Sequence, residues 1–284
     1  MSVTVRDMVP AFLGFWMSKE RSWDEYVGKH PEVFNDLTRS GRTLQEAHRE
    51  KAFAAYEQFA DRIRANAPHA TRWIEQAADR VVPLLDAAHL DIDGVAMVGL
   101  ATSNGWVADG TLYLAVELIP DERAAEILAA HEIAHALQAP LPEQPWPDDG
   151  PLGQDIYSEG FATALTAELF PQYTLAEHLW FGPGYDDWLA DCRRQEAAAR
   201  AAILANLDSE DADVSRRFLT LSGESELPQR IGYYVGTRLI QDLRREHSWP
   251  DLARWSTARA MQELRTWLTD NDNDNDPVDA GVPR

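Results

Sequence analysis

A chain of 284 residues with 45% hydrophobic and 26% charged residues has the make-up of a globular protein, long enough to bury a full core as one large domain or two small ones. Its formal net charge of −21, from 47 acidic against 26 basic residues, argues against a nucleic-acid partner, because phosphate binding needs a Lys/Arg surface. The single cysteine, Cys192, excludes an intrachain disulfide framework, Cys-based zinc fingers and iron–sulfur clusters.

The apolar stretch Met8–Met17 is too short to cross a bilayer. It also lacks the flanks of a secretory signal. Asp7 precedes it, Arg6 alone supplies positive charge, and no small-x-small cleavage site follows before Lys19-Glu20-Arg21. The stretch reads as the start of an amphipathic helix with Phe12, Phe15 and Trp16 facing inward. The default location is the cytoplasm, with no membrane partner.

The first ninety residues read as helices. From Thr43 to Ala67 the apolar residues Leu44, Ala47, Phe53, Tyr56, Phe59 and Ile63 recur at helical spacing. After Pro68 the pattern continues through Trp73, Ile74, Ala77, Val81, Leu84 and Leu85, with Pro83 placed to kink it. The period changes at Val95. Val95–Leu100 and Leu112–Ile119 read as two strands, expected to be antiparallel neighbours, with turn signals at Ser103-Asn104-Gly105 and Asp109-Gly110 between them. Pro120-Asp121-Glu122 then opens a helix through Gln138, with acid in its first turn as the helix dipole prefers.

A loop carrying Pro140, Pro142, Pro145, Pro147 and Pro151 follows. Further helices are expected at Asp155–Phe170, Asp187–Asn206, Ser209–Leu221, Gln229–Glu246 and Leu252–Leu268, with an aromatic turn at Trp180–Tyr185. The fold class is therefore α+β, mainly helical, with a small antiparallel sheet. The regions are an N-terminal helical part (1–92), a domain carrying the chemistry (93–269) and a solvated tail (270–284). The tail's Asp-Asn alternation lacks the Gly and bidentate Glu of a calcium loop.

The chemistry concentrates in His131-Glu132-Ile133-Ala134-His135. Two histidines four residues apart on a helix project from one face, so both imidazoles can reach one metal ion. Glu132 is offset around the helix and can meet a water at that metal without ligating it, as a general base must. The surrounding Ile127, Leu128, Ala129, Ala130, Ile133, Ala134, Ala136 and Leu137 make the helix apolar on nearly every side, hence buried. Two histidines and a glutamate there are costly without a partner, and a divalent cation supplies one.

A catalytic zinc takes a third protein ligand and keeps a position open for water. The metzincin continuation fails, because Gln138 and Leu141 stand where glycine and a third histidine belong. Glu159, 24 residues after His135 in Tyr157-Ser158-Glu159-Gly160-Phe161-Ala162, fits a glutamate ligand on a later helix that packs back on the first, with Gly160 allowing close approach. Asp155, Glu168 and His178 remain as alternatives. In Pro228–Gly236, Gly232 and Gly236 share a helix face suited to close packing, and a neighbouring tyrosine, Tyr233 or Tyr234, can donate to an oxyanion. Arg230 can hold a substrate carboxylate.

The HExxH helix, the later Ser-Glu-Gly-x-Ala helix and Gly232-Tyr233-Tyr234-Val235-Gly236 together resemble the gluzincin metallopeptidases. More narrowly, they resemble a bacterial family of predicted zinc-dependent proteases classed as a domain of unknown function. The resemblance spans about residues 95–246. It implies zinc held by His131, His135 and Glu159, Glu132 as base, and Tyr233 rather than Tyr234 as the oxyanion donor. It also implies that the strand around Leu112–Leu118 forms the upper edge of a cleft where an extended peptide pairs. Many gluzincins place an aspartate four residues after the ligand glutamate to orient a zinc histidine. Here Thr163 stands there, and Asp155 is the candidate for that task.

The function expected is zinc-dependent hydrolysis of a peptide bond. A small amide or peptide-derived metabolite is the alternative substrate, with the aromatic turn and the Pro-rich loop as a roof. A non-catalytic zinc-containing binding or regulatory protein is the third reading. Glu132 speaks against it, since a structural site needs no base and is usually closed by four ligands.

Overall fold

The computed structural model describes residues 2–20, 22–34, 46–147, 150–221 and 226–270. The tail beyond Asp270, expected to be solvated, lies outside the described residues. The chain divides into two compact units, Met1–Pro145 with Leu165–Gly184, and Trp146–Ala164 with Tyr185–Arg284. The N-terminal region expected at 1–92 therefore shares a unit with the sheet and the HExxH helix.

The first unit holds a four-stranded sheet ordered β1-β2-β4-β3, where β1 is Val3–Asp7, β2 Ile92–Met97, β3 Gly105–Ala108 and β4 Thr111–Ala115. β1 runs parallel to β2 (Val3 opposite Ile92), β2 parallel to β4 (Asp93 opposite Thr111), and only β3 is antiparallel, to β4 (Gly105 opposite Leu114). The protein is α+β and mainly helical as expected, but its sheet is mixed rather than antiparallel, and β2 and β4 are parallel neighbours. The physical reason is the short β3. The chain leaves β2, passes to the sheet edge as β3, and turns back through Asp109 (φ 48°) and Gly110 (φ 74°) to insert β4 beside β2. Two consecutive positive φ values at Asp-Gly match the twist of a tight hairpin.

Two further expectations change. The edge beside the HExxH helix is β3, not the strand at Leu112–Leu118. β4 is an inner strand, and Val116–Leu118 is a turn of 3-10 helix. β1 stands where only helices were expected. It is a sheet-edge strand of five residues, and its one short alternation, Val3-Thr4-Val5, gives a weak signal.

Helices α1 (Val9–Met17), α2 (Trp23–Gly28), α3 (Glu46–Asn66) and α4 (Ala70–Leu84) connect β1 to β2. Phe12, Phe15 and Trp16 of α1 do face inward, into an aromatic cluster with Tyr26, Phe53 and Tyr56. Pro83 falls in the last turn of α4, so the i−4 hydrogen bond it cannot make is lost only where the helix is ending. Behind the sheet edge, Glu117 is fully buried. Its carboxylate accepts from Gly99 N (3.0 Å) and Ala101 N (3.1 Å), while Tyr56 Oη donates to Gly99 O (2.5 Å). Burial pushes the Glu117 carboxyl above its ordinary range.

Helix α5 (Glu122–Gln138) follows the sheet and starts on Asp121, whose side chain accepts from Ala124 N at 2.8 Å. Helix α6 (Leu152–Leu169) passes from the second unit into the first, which also contains α7 (Leu175–Trp180).

The second unit is helical, with α8 (Asp186–Arg194), α9 (Glu196–Asn206), α10 (Ala212–Leu219), α11 (Ile231–Leu243), α12 (Trp249–Ala253) and α13 (Thr257–Thr269). Two stretches expected as single helices each form two. The break before α13 is set by Ser256, whose hydroxyl caps Arg259 N and starts a new helix. Gly232 and Gly236 of α11 do permit close packing. A Cβ on Gly232 would stand 2.5 Å from Ile156 Cδ1 of α6. Among the described residues no helix is long and apolar enough to cross a membrane.

Candidate metal centre

Helix α5 is apolar around nearly its whole circumference, with Ala124, Ala125, Ile127, Leu128, Ala129, Ala130, Ile133, Ala134 and Leu137 all buried. Within it His131 is 2% exposed and Glu132 6% exposed. The helical spacing brings the two histidines together, with His131 Nε2 and His135 Nε2 3.0 Å apart and the rings edge to face at 82°. Their equivalent nitrogens thus converge on one point, as two imidazoles sharing an ion must.

Glu159 of α6 completes the cluster. One ligand atom each from His131, His135 and Glu159 lies within 4.8 Å of the others, and this is the metal-capable group of His, Cys, Asp or Glu among the described residues. Two imidazoles and a carboxylate are the donor set of a catalytic zinc, with one tetrahedral position left over. The residues present fit the ion.

The alternatives to Glu159 are not part of this group. Asp155 accepts from Ser215 Oγ at 3.1 Å. His178 is buried, with Nδ1 3.1 Å from Thr166 Oγ1 and Nε2 3.2 Å from Phe170 O. Burial pushes its imidazole down to about 4, so it sits neutral in the core.

Glu132 lies against the sheet edge. A Cβ placed on Gly105 of β3 would stand 2.8 Å from Glu132 Oε1 and 2.9 Å from its Cγ. On the other side of the site, the aromatic turn supplies Phe181, whose ring meets His131 edge-on at 5.0 Å and 78°. Phe181 ends α7 in the left-handed conformation (φ 55°), which a bulky side chain rarely adopts and which costs on the order of 1 kcal/mol.

The segment 228–236 forms the start of α11. Arg230 is its N-cap, in the left-handed region (φ 61°), and its guanidinium lies over the Tyr233 ring at 4.2 Å. Tyr234 is buried, and its hydroxyl donates to Glu196 Oε2 at 2.5 Å, with Arg238 3.6 Å from the same oxygen. That bond raises the Tyr234 phenol above its ordinary range, together with burial, which contributes most. Of the two tyrosines, Tyr234 is held by a structural carboxylate. Cys192 is buried, which pushes its thiol up to about 12 and makes it inert.

Gly105, expected as part of a turn, instead opens β3. Glu117 carried a signal that the sequence reading did not use, a lone acid in the apolar stretch Leu112–Ile119. Comparison with protein-family models, curated proteins and solved structures finds no match to this chain.

Proposed function

We propose that this chain is a zinc-dependent hydrolase that cleaves peptide bonds, with zinc held by His131, His135 and Glu159 and with Glu132 as the general base. The observation that carries the reading is the convergence of a His-His-Glu donor set within 4.8 Å, beside a buried glutamate that is not part of it. A purely structural site closes with four ligands and has no use for that glutamate.

Zinc bound there supplies a Lewis acid that polarises the scissile carbonyl and acidifies water. Glu132 takes the proton of the attacking water on a carboxylate oxygen and returns it to the leaving nitrogen. Tyr233 donates its hydroxyl to the oxyanion, and Arg230 steadies it through the ring contact. Tyr234, engaged with Glu196, supports the helix instead. As the edge strand beside α5, β3 offers backbone groups to an extended peptide, which favours a peptide substrate. Phe181 against His131 favours the second reading, a small amide held under an aromatic wall.

The test combines metal analysis with turnover on a peptide library and on small amides. About one zinc per chain is expected, with cleavage lost on chelation and restored by zinc. Glu132→Gln is expected to keep its zinc and lose on the order of 10²–10⁴ in rate. A chain that takes up no zinc even on reconstitution ends the reading, and so does a Glu132→Gln variant with full zinc and full activity.

A further inference from the structure

Gly105 has no conformational reason to be glycine. It lies in β3, paired opposite Leu114 of β4, and it is not among the residues with positive φ. A glycine inside a strand weakens it, through chain entropy and the missing side chain, so this position carries a cost that another feature must offset. The neighbour that accounts for it is Glu132. A Cβ on Gly105 would stand 2.8 Å from Glu132 Oε1, 2.9 Å from Cγ and 3.1 Å from Cδ.

The strand cannot simply back away. Ala115 N donates to Asn104 O at 2.8 Å, and Ser103 Oγ donates to Gly105 O at 2.8 Å. One step behind, the buried Glu117 carboxylate holds Gly99 N and Ala101 N. Glu132, by contrast, meets Gly105 with side-chain atoms, Cγ, Cδ and Oε1, and not with backbone. A methyl group at 105 would therefore shift the carboxylate, while strand and helix stay in place.

We propose that Gly105 is a positioning residue, whose missing side chain sets where the Glu132 carboxylate rests. Its catalytic consequence rests on the reading of Glu132 as a base. The loop between β2 and β3, tied down by Glu117, is then the mount that fixes the base from the sheet side. A misplacement of about 1 Å can cost 10²-fold in rate, so a single methyl is enough to matter.

The experiment is Gly105→Ala, read by its crystal structure, zinc content, thermal stability and kinetics on whichever substrate the wild type cleaves. The expected result is an unchanged fold and zinc content, a Glu132 carboxylate displaced from its wild-type rotamer, kcat reduced by about 10- to 100-fold and KM within about twofold. In the Glu132→Ala background the same substitution should raise the melting temperature, because the clash is gone and alanine stiffens the strand. A Gly105→Ala structure with Glu132 unmoved overturns the proposal, as does equal thermal response in the two backgrounds. These two readouts do not depend on turnover. A wild type that cleaves nothing therefore sinks the hydrolase reading alone and leaves the placement of Glu132 to be decided by the structures.

Discussion

Gly160 and Gly236 meet backbone to backbone: a Cβ on Gly160 would stand 2.6 Å from Gly236 Cα, and a Cβ on Gly236 would stand 3.0 Å from Gly160 Cα. The glycine beside Glu159 thus serves the contact of α6 with α11. The sequence reading assigned it to an approach toward the histidine helix. A mid-helix glycine costs about 1 kcal/mol relative to alanine, and the close approach of the two helices is what offsets it.

Gly160→Ala is accordingly expected to destabilise by about 3 kcal/mol, because backbone on the facing helix cannot rotate aside as a side chain can. Gly14 of α1 is the control, since a Cβ there would meet nothing within 4 Å. Gly14→Ala should stabilise by about 0.5–1 kcal/mol through helix propensity alone. Urea unfolding of both variants measures this. A Gly160→Ala protein as stable as wild type would mean that the two helices separate cheaply.

The third ligand gives the second prediction. Glu159→Gln should keep the fold and weaken zinc binding by at least about tenfold, since a neutral amide oxygen is a poorer ligand than a carboxylate. Asp155→Asn should leave zinc affinity nearly unchanged, because Asp155 is outside the cluster and takes a bond from Ser215. Competition with a chromophoric chelator reads both. The reverse order of effects would place the third ligand at Asp155.

These sites differ in how far the sequence could show them. The histidine helix was legible because everything that defines it is local: acid at its start, an apolar run and two histidines four residues apart. The same holds for the Asp109-Gly110 hairpin, whose turn type follows from two residues. What was not legible is tertiary. That β4 lies inside the sheet follows from the insertion of a four-residue β3 at its edge, too short to stand out between two turn signals. The partner of Gly160 is likewise a matter of which helix arrives there. Gly105 shows the limit most clearly, because Ser103-Asn104-Gly105 reads as an ordinary turn until the carboxylate beside the glycine is seen.

His178 yields a pH prediction. Its imidazole titrates near 6.5 when free and near 4 in the fold, where burial disfavours the charged form. Between these values the unfolded chain holds the extra proton. His178 therefore contributes fully to stability above about pH 6.5, and the contribution is lost as pH falls toward 4. At about pH 4.5 the loss is on the order of 2.5 kcal/mol. His178→Gln should be less stable at neutral pH, having disturbed the contacts to Thr166 and Phe170. Its unfolding free energy should also fall less steeply between about pH 6.5 and 4.5. Parallel slopes for wild type and variant would show that His178 takes up its proton without leaving its place in the core.

The two tyrosines of α11 separate support from chemistry. Tyr234 is 1% exposed and its hydroxyl is given to Glu196, which also faces Arg238. Tyr234→Phe removes that donor from a part-buried carboxylate and should cost about 1–2 kcal/mol of stability, with kcat changed only modestly. Tyr233 is only half-buried; its ring carries the Arg230 guanidinium, a contact that phenylalanine retains. Tyr233→Phe should therefore leave stability within about 0.5 kcal/mol of wild type. If the Tyr233 hydroxyl meets the oxyanion, the same variant loses about 10- to 100-fold in kcat with little change in KM, because the interaction exists only in the transition state. Arg230→Met then tests the support of the ring: it should lower kcat in the wild-type background and change little once the Tyr233 hydroxyl is gone. Full activity in Tyr233→Phe, with a kcat loss in Tyr234→Phe beyond what its stability explains, would exchange the roles of the two residues.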